Sequence, residues 1–235
     1  MSTKISNKAF LGGLAVALVL PLSFYFITKF YLGRHNIHLP PHYVVEGVDS
    51  QVVNGKMHYD TVYHTVADLV LTNQLGKQVS INKDLAGKAL VINFFFVNCP
   101  TICPRLTGNI AHFLQNAFKK NDSTVHFLSL TVNPVHDSFP VLRSYADHYN
   151  ANHDHWWFLT GDKKTIYDFA RNQLFVSVQP GDGGPDDFIH TEKIILVDKH
   201  RNIRGYYNGL DTAELRRCAD DLALLTIEKD KSEKK

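Results

Sequence analysis

Residues Ala89 to Val97, Ala-Leu-Val-Ile-Asn-Phe-Phe-Phe-Val, form an apolar run interrupted only by Asn93. The run is too short for a helix and lacks polar alternation, so it predicts a strand buried on both faces. Such a strand needs helices over both sides of its sheet, which restricts the chain to an α/β arrangement. The run leads directly into Asn98-Cys99-Pro100-Thr101-Ile102-Cys103-Pro104. If that segment is helical, the two cysteines share one face with Cα atoms about 6 Å apart, within reach of a disulfide. Two thiolates so placed could equally share a soft metal ion.

The remaining pattern alternates in the same style. Leu69–Thr72 and Val79–Ile81 flank Asn73-Gln74-Leu75-Gly76 as a hairpin, and Val125–Val132 reads as a second buried strand. Helical spacing covers Arg105–Lys119, Ser138–Tyr149, Thr165–Leu174 and Thr212–Ile227, the last with Thr212 as its cap. Trp156–Leu159, Ile194–Val197 and Ile203–Tyr207 complete the strands. Strand, helix, strand, helix, then a hairpin and a closing helix is the thioredoxin-like order. Cys99 and Cys103 fall where its first core strand hands over to a helix, whose positive end favours thiolate over thiol. Pro100 and Pro104 are tolerated there because the first turn has no intrahelical acceptors for its amides.

Ahead of this domain, Ala9–Ile27 contains no charged residue. At helical rise it spans about 28 Å, close to the hydrocarbon core of a bilayer. It ends in Phe24-Tyr25-Phe26-Ile27 and then Lys29-Phe30-Tyr31, an aromatic interface instead of a small-residue cleavage site, so it reads as a retained anchor. Lys4 and Lys8 before it balance Lys29 and Arg34 after it, leaving orientation open. The expected organisation is a short segment 1–8, a transmembrane anchor 9–32, a linker 33–57 rich in Gly and Pro, a thioredoxin-like domain 58–228 and a charged tail 229–235. A net charge of +2, with no basic stripe interleaved with aromatics, argues against nucleic acid.

Three motifs in order resemble the SCO (SenC) family of membrane-anchored, thioredoxin-like copper chaperones for cytochrome c oxidase assembly. They are Phe96-Val97-Asn98-Cys99-Pro100-Thr101-Ile102-Cys103-Pro104, Leu130-Thr131-Val132-Asn133-Pro134-Val135-His136-Asp137, and Asp187-Phe188-Ile189-His190 before Ile194-Ile195-Leu196-Val197-Asp198. The resemblance spans about residues 59–227 together with the anchor. It implies a copper site of Cys99, Cys103 and His190, holding Cu(I) and in a further state Cu(II). It also implies a partner in the copper-site subunit of cytochrome c oxidase or another copper protein. By the same resemblance the amino terminus lies inside and the domain in the periplasm or an equivalent space. Asn133 and His136 stand where the family pattern has Asp and Arg.

The donor chemistry agrees with copper, since structural zinc and iron–sulfur sites normally take four protein ligands. An incomplete shell also suits a metal that is passed on. The reading is therefore a metallochaperone and not an enzyme. The alternatives are an extracytoplasmic thiol–disulfide oxidoreductase using Cys99 and Cys103 as its redox pair, and a redox or copper sensor. A peroxiredoxin reading lacks its Thr shortly before the reactive cysteine. Asp187 could orient the His190 imidazole, and Asp137 could cap the helix that follows it. His136, and the group His148, His153, Asp154 and His155, read as loop residues, with a second metal site as the other possibility. Cys218, spaced with Leu215, Ala219, Leu222 and Leu225, reads as core packing, with intermolecular pairing as the alternative.

Overall fold

The computed structural model describes residues 7–34, 39–53, 55–119, 123–176 and 191–228. The chain forms two compact units, Met1–His38 and Leu39–Lys235. The first holds helix α1, Asn7–Arg34, with Pro21 inside it. Its described side chains run unbroken only from Val16 to Phe30, nearly all exposed. Among the described residues no helix is long and apolar enough to cross a membrane.

The second unit begins with a two-stranded antiparallel hairpin, β1 (Val45–Val53) and β2 (Lys56–Tyr63). This corrects the expected linker over 33–57. Gly47, Gly55 and the prolines suggested a tether, but Gly55, at φ +77°, sits in the turn that lets the strands pair.

The remaining strands are β3 (Val70–Asn73), β4 (Gln78–Ser80), β5 (Ala89–Phe95), β6 (Val125–Thr131), β7 (Trp156–Thr160), β8 (Lys193–Val197) and β9 (Ile203–Asn208). They form one sheet in the order β4-β3-β7-β6-β5-β8-β9. β5, β6 and β7 are mutually parallel at its centre, and β8 runs antiparallel to β5. Every residue of β5 and β6 is buried, as a strand covered on both faces requires. Helices α2 (Ile102–Asn109), α3 (Phe139–His148) and α5 (Thr212–Ile227) pack through Leu106, Leu142, Tyr145, Leu215 and Leu222 against Val91, Phe95 and Phe127. Helix α4 (Lys163–Asp168) packs Ile166 and Tyr167 on Leu90, Ile92, Leu128 and Leu130 of the other face. The arrangement is the expected mixed α/β, thioredoxin-like fold.

Three local features depart from expectation. α2 continues as a π-helical stretch over Ile110–Gln115, and α4 does so over Phe169–Gln173. α5 is capped by Asp211, which accepts from the Ala213 amide, and not by Thr212, its first helical residue. Cys218 is fully buried in the α5 core, with its thiol pushed up by burial. All three cysteines are free.

Candidate metal centre

β5 ends at Phe95, and the chain turns through Phe96–Thr101 before α2 begins at Ile102. Cys99 therefore stands outside the helix while Cys103 lies in its first turn, so the pair is not the i, i+4 helical face considered from spacing. A direct link replaces it: the Cys103 amide donates to Cys99 Sγ at 3.4 Å. Thr101, at the helix start, makes no side-chain capping bond, and the Cys99 sulfur occupies that role. Both cysteines line one small pocket with Phe94, Phe95, Phe96, Ile102, Val132, Thr191 and Glu192.

The expectation that the helix start favours both thiolates holds for one of them. Burial opposes ionisation of Cys99, but the amides of Cys103, Thr101 and Ile102 outweigh it and hold the thiol below its ordinary value. Burial pushes Cys103 up to about 12, and the neighbouring Cys99 adds to the rise. The turn thus presents one thiol held toward thiolate beside one held protonated.

Asp137 is the positioning residue that the sequence misassigned. It does not cap α3, whose preceding residue Ser138 makes no side-chain capping bond either. Its buried Oδ2 accepts from Thr131 Oγ1 at 2.5 Å and from the Val97 amide at 3.1 Å. Asp137 thereby ties the second motif to the strand exit two residues before Cys99. Burial raises its carboxyl above the usual range, although both hydrogen bonds oppose the rise. His136, one residue away, is an exposed loop residue, and the Asn133 amide donates to Thr131 Oγ1 at 3.0 Å.

His190 and Asp187, with the Gly-rich segment 181–187, lie outside the described residues. Thr191 and Glu192, which follow His190 in sequence, do line the cysteine pocket. Glu192 is held there by Gly209, whose amide donates to the Glu192 carbonyl at 2.9 Å. Among the described residues no group of three or more His, Cys, Asp or Glu could hold a metal ion. The His148–His155 group accordingly forms no second site there. His153 is a structural tie in it, lying 2.8 Å from Asp147 Oδ1 and 3.0 Å from Gln74 Nε2. The donor set at the pocket fits a soft metal: two thiols, one of them held toward thiolate.

Comparison with known proteins bears on the family and the fold. The SCO1/SenC family model matches residues 58–224. The chain is 32% identical over 158 residues to the SCO1 protein homolog of Bacillus subtilis (strain 168), covering 67% of this chain and 80% of that one. It superposes on BsSco, a member of the Sco family of cytochrome c oxidase assembly proteins in which a disulfide switch is identified. That match has TM-score 0.60 and 29% identity, and covers 72% of this chain and 96% of that one. The copper-bound ScoI of Bradyrhizobium japonicum matches with TM-score 0.55 and 25% identity, over 68% of this chain and 99% of that one.

Proposed function

Because the chain belongs to the SCO1/SenC family, we propose that it carries copper and uses it to mature the dinuclear copper site of cytochrome c oxidase. One observation carries this reading. Two free thiols share a pocket at the end of the central strand, one of them held toward thiolate by three amides. Cys99, Cys103 and His190 would hold the copper, with Cu(I) the state two thiolates favour. Cys103 gives up its proton on loading, so copper uptake releases protons and strengthens as pH rises. α1 is the membrane anchor in this proposal, with the amino terminus inside and the second unit in the periplasm or an equivalent space. The uncharged run Ala9–Ile27 supports it.

Titration of the reduced protein with Cu(I) against a chelator tests the site. One copper per chain is expected, abolished by Cys99→Ser or Cys103→Ser and weakened at least about tenfold by His190→Ala. Unchanged affinity in any of the three variants overturns the ligand set.

The unequal thiols favour a second reading, thiol–disulfide exchange. The Cys99 thiolate would attack a partner's disulfide, forming a mixed disulfide and releasing one partner thiolate. Cys103, losing its proton, would then attack Cys99 Sγ, closing the Cys99–Cys103 disulfide and releasing the second partner thiol. The pair supplies both electrons. Reduction of a disulfide substrate at full rate by His190→Ala, which copper loading does not tolerate, would separate this activity from copper delivery.

A further inference from the structure

The β1–β2 hairpin is exposed on both sides, and its sides differ in kind. Opposite residues of an antiparallel pair share a face, and faces alternate along each strand. The register pairs Val48 with Thr61, Ser50 with Tyr59 and Val52 with Met57. This face carries no charge, and Val48, Val52, Met57 and Tyr59 are 64%, 68%, 55% and 67% exposed. The other face pairs Asp49 with Asp60 and Gln51 with His58. Asp49, Asp60 and Lys56 thus lie together on that second face, which also carries half-exposed Val62, while the uncharged face is covered by no described element.

The hairpin is also fastened to its domain. The Tyr43 amide donates to the Ile203 carbonyl at 3.0 Å, and the His64 amide donates to Val44 O at 3.0 Å. The His64 ring sits between Glu46 Oε1, 2.6 Å away, and the Gln173 carbonyl, 3.1 Å away. Whatever the apolar face rests on therefore fixes the orientation of the domain behind it.

We infer that the apolar face of the hairpin lies on the surface of the lipid bilayer. The inference rests on the reading of α1 as a membrane anchor. α1 ends at Arg34 and β1 begins at Val45, so the intervening chain, even fully extended, reaches no more than about 40 Å. The hairpin is the first strand structure after the apolar helix. Its uncharged face combines branched aliphatic side chains, a methionine and a tyrosine with two small hydroxyls, a composition suited to the interfacial layer. The facing acids Asp49 and Asp60 would point to water. Four apolar side chains are too few to hold a free domain on a membrane, but a short tether supplies the local concentration that makes a weak contact persist.

The full chain reconstituted in phosphatidylcholine vesicles tests this. Tyr59→Trp and Asp60→Trp place a fluorophore on opposite faces of β2, each read by difference against the parent with its own Trp156 and Trp157. With lipids brominated near the headgroup end of the acyl chains, the Tyr59→Trp increment should lose about half its intensity, because interfacial side chains sit about 5–10 Å into that layer. The Asp60→Trp increment should be unquenched. Equal quenching at both positions, or none at Tyr59→Trp in a chain that still floats with the vesicles, overturns the hairpin contact and leaves the anchor intact. A chain that fails to float overturns both. A Tyr59→Trp blue shift that follows protein density instead of lipid assigns the face to a second copy and likewise overturns the inference.

Discussion

At the start of β5, the buried Arg201 guanidinium donates to the carbonyls of Ile81 (2.8 Å), Leu85 (2.6 Å) and Lys88 (2.8 Å) and to Asn82 Oδ1 (2.7 Å). Beside it, Arg204 bonds Asp198 Oδ2 (2.9 Å), Glu228 Oε2 (2.7 Å) and the Pro40 carbonyl (2.6 Å). At the other end of the same strand, the polar groups are two thiols and a carboxylate, with Cys103 buried as a protonated thiol. Among the described residues, buried Asn93 Nδ2, in the middle of β5, has no hydrogen-bond partner. At the first end both guanidinium forks are filled, by carbonyls, carboxylates and an amide oxygen; the other end uses weak hydrogen-bonding groups that can change partner. Stability is concentrated where the polar groups are saturated, and chemistry where they are held in reserve.

Substitutions at the two ends of β5 separate their roles. Arg201→Ala leaves several buried carbonyls unpaired and should cost about 3 kcal/mol or more in urea denaturation. Cys99→Ser, at a half-buried turn held only by weak N–H···S bonds, should cost under about 1 kcal/mol. Equal costs would mean that the cysteine turn bears as much of the fold as the arginine knot.

A smaller effect is expected at Gly209, which couples the site to the sheet. A Cβ there would stand 2.1 Å from Leu106 Cδ1 and 3.1 Å from the Glu192 carbonyl. Leu106 is fully buried in the α2 core, so it has little room to move. Gly209→Ala should cost about 1–3 kcal/mol through overpacking. It should also weaken copper binding, because Glu192 lines the cysteine pocket. Lost stability with unchanged copper affinity would show that Glu192 is not part of what shapes the site.

These residues also show what the chain's order reveals. Ala89–Val97 could be read as a buried strand because burial on both faces leaves a local signature, a run of apolar residues. The cysteine turn followed from it, since a strand exit is a local event. Asp137 was unreadable because its partner, the Val97 amide, is forty residues away and a carboxylate before a helix has a familiar local use. The β1–β2 hairpin was missed because glycines and prolines flank a strand pair that buries neither face, so its alternation had no core to point to. The π-helical stretches in α2 and α4 were equally invisible, since one extra residue per turn hardly disturbs a 3.6-residue pattern.

Next in size is the difference between the two thiols. Cys99 lies below the ordinary value and Cys103 near 12. Cys99 then has the larger thiolate fraction, and intrinsic nucleophilicity, which falls with pKa, returns only part of that advantage. Iodoacetamide at neutral pH should therefore label Cys99 at least about tenfold faster than Cys103 in the folded, reduced protein. Mass mapping of the alkylated peptides reads this. Comparable rates would remove the asymmetry on which the disulfide-exchange reading depends.

The smallest expected effect, and the finest test of the active end, is the titration of Asp137. Its folded carboxyl is raised, chiefly by burial, against the hydrogen bonds from Thr131 and Val97. In the unfolded chain the same group ionises first as pH rises, so just above the ordinary carboxylate value the folded state holds more protons. Stability from this group is then present in acid and declines as pH rises toward the folded value, levelling off beyond it. Asp137→Asn keeps an oxygen for both donors but cannot ionise, so its stability should lack that decline and gain on the parent across mild acid. Asp137→Leu should lose about 1–3 kcal/mol at every pH, because it strands the Val97 amide and the Thr131 hydroxyl. Urea midpoints followed from about pH 3 to about pH 7 distinguish the three chains. Parallel curves for the parent and Asp137→Asn would mean that the carboxylate is as comfortable ionised inside the fold as in water. The active end would then be as well satisfied as the arginine end, and the contrast between them would rest on the thiols alone.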